Sequence, residues 1–153
     1  MGWDDKLTVS EWQAGDELPA HNDACMVCGA SSASSPLLAP FRVLQGGTVG
    51  TGVRFDDRHQ GAPYYAHGGA VAAVLDDACG YVSYLVLRIF VTAHLEVDYR
   101  RPVLLGHEYQ VRARCVGIEG RKVHLAADLL DGEELVAESR GLFVVVDIEH
   151  FRP

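Results

Sequence analysis

One short segment carries residue types and spacing suited to acid–base and electrophilic chemistry: His67, Gly68, Gly69 and, nine positions after the histidine, Asp76. From residue 68 to about 87, Ala70, Val74, Ala78, Tyr81 and Leu85 recur at helical spacing, with Val71, Leu75, Val82 and Val86 as a second apolar row. The glycine pair therefore opens a helix. The first N–H groups of a helix lack intrahelical partners, and the helix dipole is positive there. Glycine lets another molecule approach that backbone closely. Gly68 and Gly69 thus suit the negative charge that develops on a carbonyl oxygen in a tetrahedral transition state. Asp76 lies among Ala72, Val74, Leu75 and Ala78, where a carboxylate is costly to bury and its pKa rises. A carboxylate so placed has a function or a partner, whereas Asp77 reads as a solvated helix position. His67 has the chemistry of a general base, but in front of a helix it can equally orient the loop, which is the favoured reading.

Helix geometry separates the two halves of this chemistry. Gly68 and Asp76 stand roughly 12 Å apart at about 1.5 Å per residue, too far to serve one carbonyl. Two such helices packed antiparallel in a two-fold dimer bring Asp76 of one chain to Gly68 of the other, giving two composite sites. The pairing also offers the second apolar row a surface.

The flanking sequence supplies a scaffold for that helix. Extended runs at residues 41–45 and 48–55 flank Gly46-Gly47, a hairpin turn. Four more runs follow, at 90–101, 108–117, 122–130 and 134–147. Leu95, Val97 and Tyr99 alternate with His94, Glu96 and Asp98; Val111, Ala113 and Cys115 with Arg112 and Arg114; and Val123 and Leu125 with Lys122 and His124. Each strand should bury one face, and Asp131-Gly132 marks another hairpin. Hairpin, long helix and meander predict an α+β fold, a strongly curved antiparallel sheet wrapped around one central helix. Residues 1–40, which include the Ser-rich run Gly29–Pro36, read as an arm packed on the domain formed by 41–153.

The stretch Ala66-His-Gly-Gly-Ala-Val-Ala-Ala-Val-Leu-Asp-Asp-Ala-Cys-Gly80 resembles the signature of hotdog-fold thioesterases of the phenylacetate-pathway type, in the 4-hydroxybenzoyl-CoA thioesterase superfamily. The likeness continues through Val91–Pro102, Gly106-His-Glu, Gly120-Arg-Lys and Asp131–Glu138, covering roughly residues 41–147. It implies hydrolysis of an acyl-CoA or acyl-carrier thioester, without metal or cofactor, by a homodimer or a pair of dimers. In that scheme the Gly68 N–H polarises the carbonyl, Asp76 is base or nucleophile, and the Thr92 hydroxyl positions water; by residue type alone, Thr92 is an ordinary strand residue. Related enzymes often have Asn six residues before the histidine, where this chain has Gly61, with His59 and Gln60 as neighbouring polar candidates. That departure keeps a non-catalytic acyl-thioester-binding protein as the alternative. Arg100-Arg101 and Arg121-Lys122 either meet CoA phosphates or stand as solvated strand ends.

Other partners and sites are disfavoured. A net charge of -8 argues against nucleic acid and anionic membranes. Asp76 and Asp77 argue against reading residues 68–87 as a membrane span. The start Met1–Lys6 lacks signal-peptide character, which points to the cytoplasm and to reduced thiols at Cys25, Cys28, Cys79 and Cys115. Cys25-x-x-Cys28, similar to a Cys-x-x-Cys-Gly arm in a branch of the family, supplies with His21 three zinc ligands. No second Cys pair or compact His pair completes the set, so packing is favoured over metal binding.

Overall fold

A computed structural model describes residues 11–152; the first ten residues of the arm, Met1–Lys6 included, lie outside the described residues. The runs around Gly46-Gly47 pair as β1 (Arg42–Leu44) and β2 (Thr48–Arg54). Both glycines take the positive φ that the turn needs, 75° and 71°. The central helix follows as α1 (Gly68–Tyr81), then β3 (Phe90–Tyr99), β4 (Glu108–Glu119), β5 (Lys122–Asp131) and β6 (Glu134–Val145). The strands form one antiparallel sheet in the order β1-β2-β4-β5-β6-β3. Register shifts between Thr92 and His94, Cys115 and Gly117, and Leu129 and Leu130 are irregularities that bend strands. The sheet packs on α1 through β2 to β6, the sheet-around-helix arrangement expected from the order of elements and the hotdog fold that the resemblance implies.

The core follows the predicted alternation. Val111 and Ala113 of β4, Val123 and Leu125 of β5, and Val71, Val74, Leu75 and Ala78 of α1 are buried in one cluster, where a fully buried aliphatic side chain contributes about 1.5–3 kcal/mol. The 19 residues Gly68–Val86 are long and apolar enough to cross a membrane, but here they form the core helix under the sheet.

Three details differ from expectation. The helix does not run unbroken to Leu87: the backbone tightens where Val82 N–H bonds Cys79 O at 3.1 Å and Leu85 N–H bonds Val82 O at 2.9 Å. A short α2 (Ser83–Val86) then ends at Leu87, in the left-handed region with φ 53°. The second apolar row needs no partner chain either, because Val71, Leu75, Val82 and Val86 are at most 3% exposed within one chain. Finally, Leu95 and Val97 are only half-buried and Tyr99 is exposed. They lie on β3, the outermost strand, which pairs with β6 alone.

Residues 11–40 pack along α1 and against β1 and β2. Leu18 and Val27 join the core cluster, Leu18 N–H bonds Phe41 O at 2.8 Å, and Leu38 N–H bonds Gly52 O at 2.9 Å. The Tyr84 hydroxyl donates to Pro19 O at 2.8 Å.

Candidate active site

At the tip of α1, His67 is the capping residue, and its Nδ1 accepts the Gly69 N–H at 2.8 Å. The N–H groups of Ala70 and Val71 bond His67 O at 2.9 and 3.2 Å. Of the first N–H groups, that of Gly68 is left without an intrahelical acceptor. The Gly69 N–H is thus occupied, and the His67 ring caps the helix, in line with the loop-orienting role favoured for it. Tyr99, which strand alternation assigned to the core, donates its hydroxyl to Gly68 O at 2.6 Å and ties the end of β3 to the helix tip.

The loop before the helix explains the departure at Gly61. A Cβ there would lie 2.8 Å from His67 Cα, so the close approach of the two backbones requires glycine and excludes Asn. His59 is no substitute, because both its ring nitrogens are occupied. Nδ1 accepts the Asp56 N–H at 3.0 Å and Nε2 donates to Ser34 O, and His67 N–H bonds the His59 carbonyl at 2.7 Å. Gln60 is exposed and lines, with His67, Ala70, Ala73 and Val74, a recess of about 300 Å³.

The other half of the chemistry sits farther along the helix. The Thr92 hydroxyl donates to Asp76 Oδ1 at 2.7 Å, bringing together two residues that lay on different predicted elements. Burial pushes the Asp76 carboxyl above the ordinary aspartate range; the Thr92 hydrogen bond opposes this and the Asp77 charge adds to it. Asp76 and Thr92 line a recess of about 320 Å³ with His21, Asp77, Phe90 and Phe143. Gly68 lines a different one, of about 370 Å³, with Tyr65, Tyr99, Arg100 and Arg101. A single chain thus keeps the donor and the carboxylate in separate recesses.

The basic pairs divide in the same way. Arg100 and Arg101 border the Gly68 recess, each ion-paired to β6, with Glu138 at 3.2 Å and Glu134 at 2.6 Å. Arg121 and Lys122 stand at the opposite end of the sheet, where Lys122 pairs with Val144 and the Arg121 guanidinium bonds Val145 O at 3.1–3.2 Å. Phe90, at the Asp76 end of β3, pairs with Val145.

Asp77 is not solvated, contrary to expectation. Its side chain is 10% exposed, His21 Nδ1 stands 3.6 Å from its Oδ1, and the Cys25 and Cys28 thiols contact the same oxygen at 3.4 and 3.6 Å. The arm covers this face of α1, and a sequence reading confined to the helix could not see it. The local signal was Gly80: glycine within a helix costs roughly 0.5–1 kcal/mol relative to alanine, and here its missing Cβ would lie 2.8 Å from His21 Cε1.

Comparisons with known proteins agree with this architecture. The thioesterase superfamily model matches residues 65–138, bearing out at the level of the superfamily the resemblance read from His67-Gly-Gly and Asp76. The rat protein acyl-coenzyme A thioesterase THEM4 is 32% identical over 90 residues, 58% of this chain and 39% of the rat protein. The chain therefore spans about two fifths of that relative's length. A solved thioesterase superfamily protein superposes with a TM-score of 0.72 at 28% identity, covering 77% of this chain and 61% of the other. A Streptococcus mutans UA159 protein solved bound to acetyl CoA shares the fold with a TM-score of 0.64 at 20% identity, over 69% of this chain and 86% of its own.

Proposed function

We propose that this hotdog domain of the thioesterase superfamily is an acyl-CoA thioesterase of the phenylacetate-pathway type, acting in the cytoplasm as a two-fold dimer or a pair of dimers. The observation that carries the reading is the pairing of a Gly68 N–H without an intrahelical acceptor at the helix tip with a half-buried Asp76 held by Thr92 in the second half of the same helix. Neither half suffices alone. Antiparallel pairing of two α1 helices would join the halves, and β3, a ten-residue strand with one open edge, is a natural place for two copies to meet.

In the composite site the thioester oxygen accepts from the Gly68 N–H of one chain, with the Tyr99 hydroxyl holding the Gly68 carbonyl. Asp76 of the other chain takes a proton from water as the water oxygen bonds to the carbonyl carbon, or its carboxylate attacks that carbon directly. Collapse of the tetrahedral species breaks the C–S bond, and the thiolate leaves and is protonated; on the base route this releases the carboxylic acid, and on the nucleophile route it leaves an Asp76 acyl anhydride that water then hydrolyses to the acid and the free carboxylate. Thr92, whose hydroxyl donates to Asp76, aims the carboxylate. Arg100 and Arg101, at the mouth of the Gly68 recess, are placed to exchange their Glu partners for the phosphates of CoA.

Thiol release from aromatic and aliphatic CoA esters of graded length tests this reading. Wild type should turn over at least one class, and Asp76→Asn should lose about 10²–10⁴-fold of the rate. A wild-type protein that binds acyl-CoA yet hydrolyses none of the panel would replace the enzyme with the binding-protein reading. Packing on His67 gives Gly61 a structural reason, which weakens the motive for that alternative.

A further inference from the structure

Among the described residues, a cluster of ligand-type side chains outside the proposed catalytic residues joins the arm to the helix. The donor atoms of His21, Cys28 and Asp77 all lie within 4.8 Å of one another, and Cys25 Sγ contacts the same Asp77 oxygen. We propose that His21, Cys25, Cys28 and Asp77 form a structural zinc site that staples the N-terminal arm to α1.

The separations among His21, Cys28 and Asp77 fit that ion, and Cys25 Sγ, which meets Asp77 Oδ1 but lies outside the group whose donor atoms are all within 4.8 Å, would close in on binding. Tetrahedral zinc, with bonds of about 2.3 Å to sulfur, 2.0–2.1 Å to imidazole nitrogen and 2.0–2.2 Å to carboxylate oxygen, sets S···O near 3.5 Å, S···N near 3.6 Å and N···O near 3.4 Å. The corresponding separations are 3.4 and 3.6 Å for the two sulfurs to Asp77 Oδ1, 3.8 Å for Cys28 Sγ to His21 Nδ1, and 3.6 Å for His21 Nδ1 to Asp77 Oδ1. A second observation is independent of those distances. The side chain of Asp77 is nine-tenths buried, and its Oδ2 has no hydrogen-bond partner. A buried carboxylate facing two thiols lacks the strong donors that normally balance its charge, and a divalent cation would balance it.

The surroundings are shaped to hold these donors. Gly80 gives room for the His21 ring, which lies against Tyr81 with centroids 4.1 Å apart. Gly29, immediately after Cys28, is required because a Cβ there would meet the carbonyl oxygens of Asp23 and Cys25; Gly29 N–H closes the Cys-x-x-Cys turn on Cys25 O at 2.8 Å. Both cysteines are free thiols, and two thiolates, an imidazole and a carboxylate favour zinc over magnesium or calcium. On binding, each thiol gives up its proton to solvent. Four protein ligands close the coordination sphere, so the role is structural. The ion would hold residues 21–28 over α1 beside Asp76. His21 and the Cys pair supplied three ligands in the sequence, and the fold brings up the fourth.

The test is metal content, which does not depend on thioesterase activity. Untagged wild-type protein, supplied with ZnCl₂ and passed through a desalting column, should retain about one zinc per chain; Cys28→Ser and Asp77→Asn should retain about none. With Co²⁺ in place of zinc, wild type should show thiolate-to-cobalt charge transfer and the visible bands of a tetrahedral site, neither of which requires the variants to fold. Chelator should lower the wild-type Tm and leave that of Cys28→Ser unchanged. Wild type that retains no zinc and shows no tetrahedral cobalt spectrum overturns the proposal, as does Cys28→Ser that retains the full complement. In either case the four side chains form a hydrogen-bonded cluster only.

Discussion

If the site is shared between chains, two inactive variants should repair each other. Gly68→Pro is suited to one side of this test because it deletes the N–H donor and little else. Gly68 is the first residue of α1, where proline is well tolerated. The preceding His67 has φ -59° and ψ 134°, the extended conformation required before proline. A side chain at Gly68 would meet Tyr99 at no less than 3.4 Å, an ordinary contact. Loss of one oxyanion donor should cost about 10²–10³-fold in kcat, or about 2.7–4 kcal/mol. Asp76→Asn supplies the other side, keeping an oxygen for the Thr92 hydroxyl. Co-production of the two variants in equal amounts makes about half the dimers mixed, and each mixed dimer holds one site with both changes and one with neither. Hydrolysis by the mixture should therefore return to about one quarter of the wild-type rate, against about one per cent or less for each variant alone. The assay is thiol release from the preferred CoA ester, with subunit composition checked by two different affinity tags. A mixed population as inactive as its parents would refute the composite site, as would a monomer fully active in dilute solution.

Two further outcomes follow from local geometry. Burial raises the Asp76 carboxyl and the Thr92 hydrogen bond lowers it. Activity that needs the carboxylate should thus fall, as pH drops, through a limb above the ordinary aspartate range. Thr92→Val removes the lowering influence, so its limb should lie higher still and its rate fall about 10-fold; a pH–rate profile superimposable on wild type would exclude the hydrogen bond from catalysis. Gly61→Asn restores the residue type common in related enzymes, yet its Cβ would stand 2.8 Å from His67 Cα. It should destabilise the fold by about 1–3 kcal/mol without raising activity, measured by denaturant unfolding and hydrolysis; an unchanged midpoint with faster turnover would contradict the packing argument.

What the sequence made legible was chemistry carried by helical periodicity. The donor at Gly68, the carboxylate at Asp76 and the distance between them all follow from residues on a single element, and the hairpins followed from glycines whose φ is positive, such as Gly46 and Gly132. What escaped depended on residues far apart in the chain. Tyr99 alternates with the inward residues of β3, but that strand lies at the sheet's edge, where its inward face is only partly covered, and the hydroxyl reaches the helix tip instead. The solvated reading of Asp77 treated α1 as a helix with one wet face. That face is covered by residues about fifty positions upstream, and Cys25 and Cys28 converge on it. Gly80 was the sequence's only local trace of this contact, since an unfavourable residue inside a helix needs a neighbour to justify it. The neighbour is the His21 ring, so the glycine one turn beyond Asp76 is explained by the arm, and Gly68, in the proposed site, by the substrate. The helix therefore meets two different partners through missing side chains, one at its tip and one a turn beyond Asp76. Displacing the arm should disturb both ends of this helix, because Ser34 O holds the His59 ring and the His59 carbonyl receives the His67 N–H.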